Sequence, residues 1–313
     1  TALLSEGRPH EAFTFLSYAC SGAEIGGPGL EEDKGGILSP YTGRETAQDL
    51  TKMGAYWYSR NTIPNPKAPV VPAQLSQLIE DLCPVPVDKS DIIYRCPVKM
   101  RQVDVLIVGI GGNDVGFGRI IRESVVGNLK SADYADVDEK MKELPAMYSR
   151  LDQRLSDSGV RFANKILMDY GNPTQKWGGE YCSDQENIVR PIGIPFVLSI
   201  SKREFKLAKT RILDPLNRIG DEFVDANKST WIRFRKTGAL TDGRGICTRG
   251  RFTSMDQANA KQGVIWSMGF SSGVFHPNFL YHHHQGRELA LTLGEVLDRT
   301  SERVQSESMV AKE

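Results

Sequence analysis

The chain lacks several signatures that would have placed it at once. None of its five cysteines, Cys20, Cys83, Cys96, Cys182 and Cys247, forms a CxxC pair, so a zinc site is not expected. There is no HExxH and no G-x-S-x-G elbow, which removes the common metalloprotease and α/β-hydrolase signatures. No apolar run approaches the roughly 20 residues of a membrane helix, so stable membrane insertion is not expected. Neither sign of charge is in excess: Lys+Arg number 39 and Asp+Glu 39. That balance gives no electrostatic ground for binding nucleic acid or an anionic membrane. Repeats, charge blocks and long low-complexity linkers are absent too. No signal peptide is visible, yet Thr1 follows no initiator Met, and residues upstream are expected. With 313 residues, 40% of them hydrophobic, the chain can bury a core as one large domain or two.

The most informative stretch is Val103-Asp104-Val105-Leu106-Ile107-Val108-Gly109-Ile110-Gly111-Gly112-Asn113-Asp114. Its first half is a near-continuous Val- and Ile-rich run, the pattern of a parallel strand buried on both faces. It ends in a Gly-Gly-Asn-Asp turn. In open α/β sheets, ligands bind beyond the carboxyl ends of the strands. Two glycines there allow a sharp turn and a close approach, and Asn113 can donate a hydrogen bond into the crevice. A tight βα turn with an Asn cap accounts for the same residues.

The rest of the chain alternates. Residues 13–19 read as a short strand running into Cys20-Ser21-Gly22-Ala23, a second small-residue turn. Residues 26–48 read as loop. A helix is expected over 72–82 with Pro72 in its first turn, and a short one over 119–126. Val137, Met141, Leu144, Tyr148, Leu151 and Leu155 recur at helical spacing, so 134–156 reads as a long amphipathic helix, kinked at Pro145. Residues 165–169 read as a strand, about 201–226 as a helix, Trp231 to Phe234 as the last strand, and about 285–304 as a final helix. In that helix Leu289, Leu293, Val296 and Leu297 share a face. This alternation predicts a three-layer α/β domain with a mostly parallel sheet. Segments 174–198 and 236–272 read as irregular, longer than ordinary connections, and are expected to wall a pocket.

Cys83 and Cys96 bracket a Pro-rich loop before the central strand, while Cys182 and Cys247 lie in Gly-rich irregular segments. Cysteines in loops point to disulfides and an oxidising compartment, hence a secreted or periplasmic protein; five reduced thiols are the alternative. The expected pairs are Cys83–Cys96 and Cys182–Cys247. The odd count leaves Cys20 over.

Late in the chain, Gly273-Val274-Phe275-His276-Pro277-Asn278 places a histidine before a proline, in a rigid loop suited to a general base. A lone His can equally be structural. His282, His283 and His284 imitate a metal site, but consecutive residues do not share a helix face, and they read as surface residues or the start of a helix.

Taken together, Ala19-Cys20-Ser21-Gly22-Ala23, Gly111-Gly112-Asn113-Asp114 and Phe275-His276-Pro277-Asn278 resemble three of the four blocks of the SGNH, or GDSL, family of serine esterases and lipases. The likeness is nearest to its larger secreted bacterial members and spans nearly the whole chain as a single domain, 1–313. It implies a flavodoxin-like three-layer α/β/α fold and acyl transfer without metal or cofactor, on an ester substrate such as an acyl lipid or acylated sugar. Gly22 would supply an oxyanion-hole N–H, Asn113 a side-chain donor, and His276 the base. Where the family often has an acidic residue three positions before the His, this chain has Gly273, whose carbonyl would orient the imidazole instead. The block with the nucleophile, Gly-Asp-Ser, occurs nowhere in the 313 residues. Asp157-Ser158-Gly159 imitates it, but precedes a strand's amino end and lies on the wrong side of the sheet. The resemblance therefore implies a missing first strand, an interior one, carried by an N-terminal segment upstream of Thr1 or by a second chain, with Cys20 pairing into it. A catalytically inactive SGNH-like module that binds a glycan, lipid or protein is the alternative.

Overall fold

The computed structural model describes residues 12–18, 23–26, 36–40, 71–117, 120, 131–176, 178–183, 200–245 and 279–310. Among them, β1 (Val103–Val108), β2 (Phe162–Met168) and β3 (Trp231–Phe234) form one parallel sheet in the order β1-β2-β3. In register, Leu106 lies beside Lys165 and Val108 beside Leu167; Lys165 lies in turn beside Trp231. The helices are α1 (Gln74–Leu82), α2 (Ser131–Asp157), α3 (Lys202–Leu207), α4 (Asp214–Ala226), α5 (Lys236–Thr241) and α6 (Phe279–Val310). The chain is thus an α/β protein, as the alternating pattern implied.

Both crossovers step in the same direction across the sheet. A right-handed βαβ connection then puts α2 and α4 on the same face. Opposite sides of β2 show where the layers lie, because neighbouring residues of a strand face opposite ways. Lys165 is paired with Asp152 of α2, and Asp152 also accepts the Trp231 indole N–H at 2.7 Å. Asn164, one residue back, donates to Thr300 of α6 at 2.9 Å. One helical layer therefore covers each face.

The periodicity of α2 is realised: Val137, Met141, Leu144, Tyr148, Leu151 and Leu155 are all buried. Pro145 lies inside the helix on its exposed side. It removes one amide from the helical ladder there. The helix expected over 201–226 is continuous but not uniform. It runs through α3, a π-helical stretch Ala208–Leu213, and α4. Pro215, in the first turn of α4, cannot donate to the turn before it, and the widened π stretch sits immediately upstream.

Several expectations are corrected. Residues 12–18 form no strand and are mostly exposed, Phe15 at 68% and Leu16 at 42%. A strand exists only through a ladder, and among the described residues nothing pairs with this stretch. The strand of 103–110 stops at Val108, and it is not buried on both faces. Of its residues only Val108 is fully buried; among the described residues β1 lies at the edge of the sheet. Pro72 precedes the N-cap Ala73 instead of entering the first turn of α1. The first two amides of α1 donate to the carbonyls of Gly36 and Ile37 instead. Residues 236–241, expected to be irregular, form α5. The final helix starts at Phe279, so His282, His283 and His284 lie within it. Most of 119–126, along with 184–198 and 246–272, lies outside the described residues.

Cys83 and Cys96 are joined by a disulfide, as expected. Cys182 is disulfide-bonded as well; its expected pairing with Cys247 lies outside the described residues, as does Cys20. Among the described residues no helix is long and apolar enough to cross a membrane.

Candidate functional site

A parallel sheet puts all its carboxyl ends on one side. The turns after β1, β2 and β3 therefore share one end of the molecule. Asp157-Ser158-Gly159 lies at the other end, before β2. The Ser158 hydroxyl donates to the Leu155 carbonyl at 2.6 Å and accepts the Val160 amide at 3.2 Å, the bonds of a helix-closing turn. Its exclusion as a nucleophile agrees with that position.

After β1 the chain turns through Gly111 and Gly112. Gly111 has φ +118°, in the region that favours glycine, and a Cβ on it would run into the Tyr148 hydroxyl. A Cβ on Gly112 would sit 3.0 Å from the Tyr170 ring. The glycine pair therefore admits two phenols, in addition to the sharp turn read from the sequence. Tyr148 donates to the Ile110 carbonyl at 2.8 Å, and the Gly112 amide donates to the Tyr170 oxygen at 2.9 Å.

Asn113 is exposed between two buried neighbours, Gly112 and Asp114. Its side-chain amide donates to the Ala23 carbonyl at 2.9 Å across 90 residues of sequence. Asp114, 6% exposed, accepts the Ile25 amide at 2.8 Å. These two bonds bring the stretch just after Gly22 against the turn that carries Asn113. Gly22, Gly273 and His276 themselves lie outside the described residues.

After β2, Asp169 accepts the amides of Thr237 at 3.0 Å and Gly238 at 2.8 Å, capping α5 from a distance. Burial raises the Asp169 pKa above the ordinary carboxylate range, opposed by those hydrogen bonds and by the Arg233 guanidinium. Tyr170 is held on both sides of its Cα by Asn217, which accepts its amide at 2.8 Å and donates to its carbonyl at 3.0 Å. Burial pushes the Tyr170 phenol up to about 12, only partly offset by the bond from Gly112. Arg233, with 2% of its side chain exposed, ties these parts together. It bonds Asp221 at 2.9 Å, the Met168 carbonyl at 2.6 Å and the Asn217 side chain at 3.2 Å. Nearby, Tyr281 of α6 is buried, and Gln285 bridges it to Thr237.

Asp114, Asp169, Tyr170, Asn217 and Arg233 went unrecognised in the sequence. Asp114 stands in a turn the sequence did show, and Asp169 and Tyr170 at the end of a strand it showed. Asn217 and Arg233 carry no local signal, since their partners lie between 12 and 65 residues away. Among the described residues no cluster of His, Cys, Asp and Glu could hold a metal ion.

The fold and this end of the sheet define an α/β protein with a polar, tightly bonded turn cluster beyond its strands. No protein-family model matches the chain, and no curated protein matches it. Among solved structures, an extracellular lipase from Streptomyces rimosus is similar at 13% identity and a TM-score of 0.41, over 62% of this chain and 69% of that one. A likeness at that level carries no functional argument.

Proposed function

We propose that this protein is a serine carboxylic-ester hydrolase, acting outside the cytoplasm in an oxidising compartment. The observation that carries the reading is the bond from Asn113 to the Ala23 carbonyl, 2.9 Å. It joins the stretch just after Gly22 to the turn after β1, distant parts of the chain, at the carboxyl end of a parallel sheet. Acyl transfer is served by donors such as a side-chain amide and a main-chain N–H, both aimed at one developing oxyanion. An Asn amide carries two hydrogens, so the bond to Ala23 does not exhaust it.

In this reading a serine hydroxyl attacks the ester carbonyl carbon while His276 takes its proton. The carbonyl electron pair moves onto oxygen, which the Asn113 amide and the Gly22 N–H stabilise. The intermediate collapses, the alcohol leaves with the proton from His276, and water hydrolyses the acyl-serine by the same route. The carbonyl of Gly273 orients the imidazole. The serine comes from a polypeptide segment lying along the outer edge of β1, on the upstream part of the protein or on a second chain. Acyl lipids and acylated sugars are the substrate classes.

A second reading has its own observation: the 313 residues hold no Gly-Asp-Ser. In it, the cleft binds a glycan, lipid or protein without catalysis. A fluorophosphonate probe on the full-length protein separates the two. Covalent labelling of one serine is expected; a folded protein that takes no label leaves the binding module.

A further inference from the structure

The turn that carries Asn113 is gripped from both sides by phenols, and the two grips differ. Tyr148, buried on α2, donates to the Ile110 carbonyl before the glycines. Tyr170 accepts the amide of Gly112, in the Gly111–Gly112 peptide, one peptide before the one that joins Asn113. Two consecutive glycines leave a turn free to rotate its peptide planes unless tertiary bonds hold them. Within the turn, the Gly111 carbonyl accepts the Val115 amide at 3.2 Å and the Gly112 carbonyl accepts the Phe117 amide at 3.0 Å, so the Tyr170 hydroxyl is the side-chain partner that holds the Gly111–Gly112 peptide from outside the turn. The Tyr170 phenol is itself immobilised. Asn217 clips its main chain on both sides, and Arg233 fixes Asn217 while donating to the Met168 carbonyl at the end of β2. The line of contacts thus runs from β3 and α4, through the turn after β2, to the turn after β1.

We propose that Tyr170 is a positioning residue: its hydroxyl oxygen, by accepting the Gly112 N–H, sets the aim of the Asn113 side-chain amide at the oxyanion. The inference rests on the ester-hydrolase reading. It predicts a loss in the transition state without a loss in substrate binding, because an oxyanion donor acts on charge that develops only during reaction.

The test is a double-mutant cycle in the full-length protein on a p-nitrophenyl ester. Tyr170→Phe removes the hydroxyl and keeps the ring. It is expected to lower kcat about tenfold and leave KM nearly unchanged, the loss expected of a slightly misplaced catalytic group. Asn113→Ala is expected to lower kcat about 10²-fold. The double variant is expected to be no slower than Asn113→Ala alone, since a misaimed amide that is absent costs nothing more. In Tyr170→Phe the Gly112 amide should also exchange with deuterium faster. Multiplying effects would overturn the proposal, as would a full kcat in Tyr170→Phe where Asn113→Ala is slow. A Phe variant that does not fold also overturns it, since the hydroxyl would then serve stability. If the unmodified protein hydrolyses no ester and takes no fluorophosphonate label, the ester-hydrolase reading itself has failed. Unchanged exchange at Gly112 would show separately that the Tyr170 bond does not hold the turn.

Discussion

Asp169 joins the end of β2 to the start of α5, and its carboxyl sits where ionisation is penalised. Burial raises its pKa, more than the amides of Thr237 and Gly238 and the charge of Arg233 lower it. A carboxyl whose folded pKa lies above its unfolded one stabilises the fold fully at low pH. That contribution is lost as pH rises through the folded value. The stability advantage of the native protein over Asp169→Asn should therefore be larger at pH 4 than at pH 7. Urea unfolding at both values checks this; an equal difference at both would mean that Asp169 titrates alike folded and unfolded. At the proposed site the variants act on rate. His276→Ala should abolish ester hydrolysis while circular dichroism stays native. Asn113→Ala should keep about one part in 10² of kcat, the usual cost of one oxyanion donor. Full activity in both, on an activated ester, would remove the site assignment.

Among the elements, α1 and its following loop show how a short helix is kept in place. Its buried face, Leu75, Leu78, Ile79 and Leu82, packs into the main core, and the carbonyls of Gly36 and Ile37 cap its start. Its far end leads to the disulfide between Cys83 and Cys96, which closes a loop of sequence separation 13. Restricting the unfolded chain over such a loop stabilises by about 3 kcal/mol in the chain-entropy account. Replacing both cysteines by Ala should lower the urea-derived unfolding free energy by about that much, with the m-value unchanged. No change would show that the loop is held by its other contacts, such as Asp88 with Arg95 and Ser76 with Ile92.

For the whole molecule, the informative place is the outer edge of β1. Val103 donates its amide to Arg161, toward β2. By alternation the amides of Asp104, Leu106 and Val108 point the other way. Among the described residues they meet no strand, although the sequence of β1 is that of an interior one. Residues 12–18, β-prone and exposed, lie on the stretch that leads to the contact with Asn113. The proposal of a further strand beside β1 turns this into a measurement. In the full-length protein those three amides should exchange with deuterium as slowly as those of Val105 and Ile107. Fast exchange at all three would mean an open edge, and the serine would have to reach the cleft by another route.

What the sequence by itself determined was local and periodic. The buried stripe of α2, the four residues of β3 and the parallel α/β arrangement all follow from spacing along the chain. Backbone geometry turns that spacing into faces. The Cys83–Cys96 bond was legible for a similar reason, since the short loop keeps the two thiols near each other. The tertiary structure alone decided the rest. Helix α5 exists where no local signal announced it, because a carboxylate 68 residues away caps it. Residues 12–18 have strand composition but, among the described residues, no ladder, since a strand needs a neighbour that its own residues cannot supply. The phenol grips on Ile110 and Gly112 depend on α2 and on the turn after β2 arriving together. Periodicity is written in the covalent chain, whereas a hydrogen bond between distant residues exists only once the fold has brought both partners to one place.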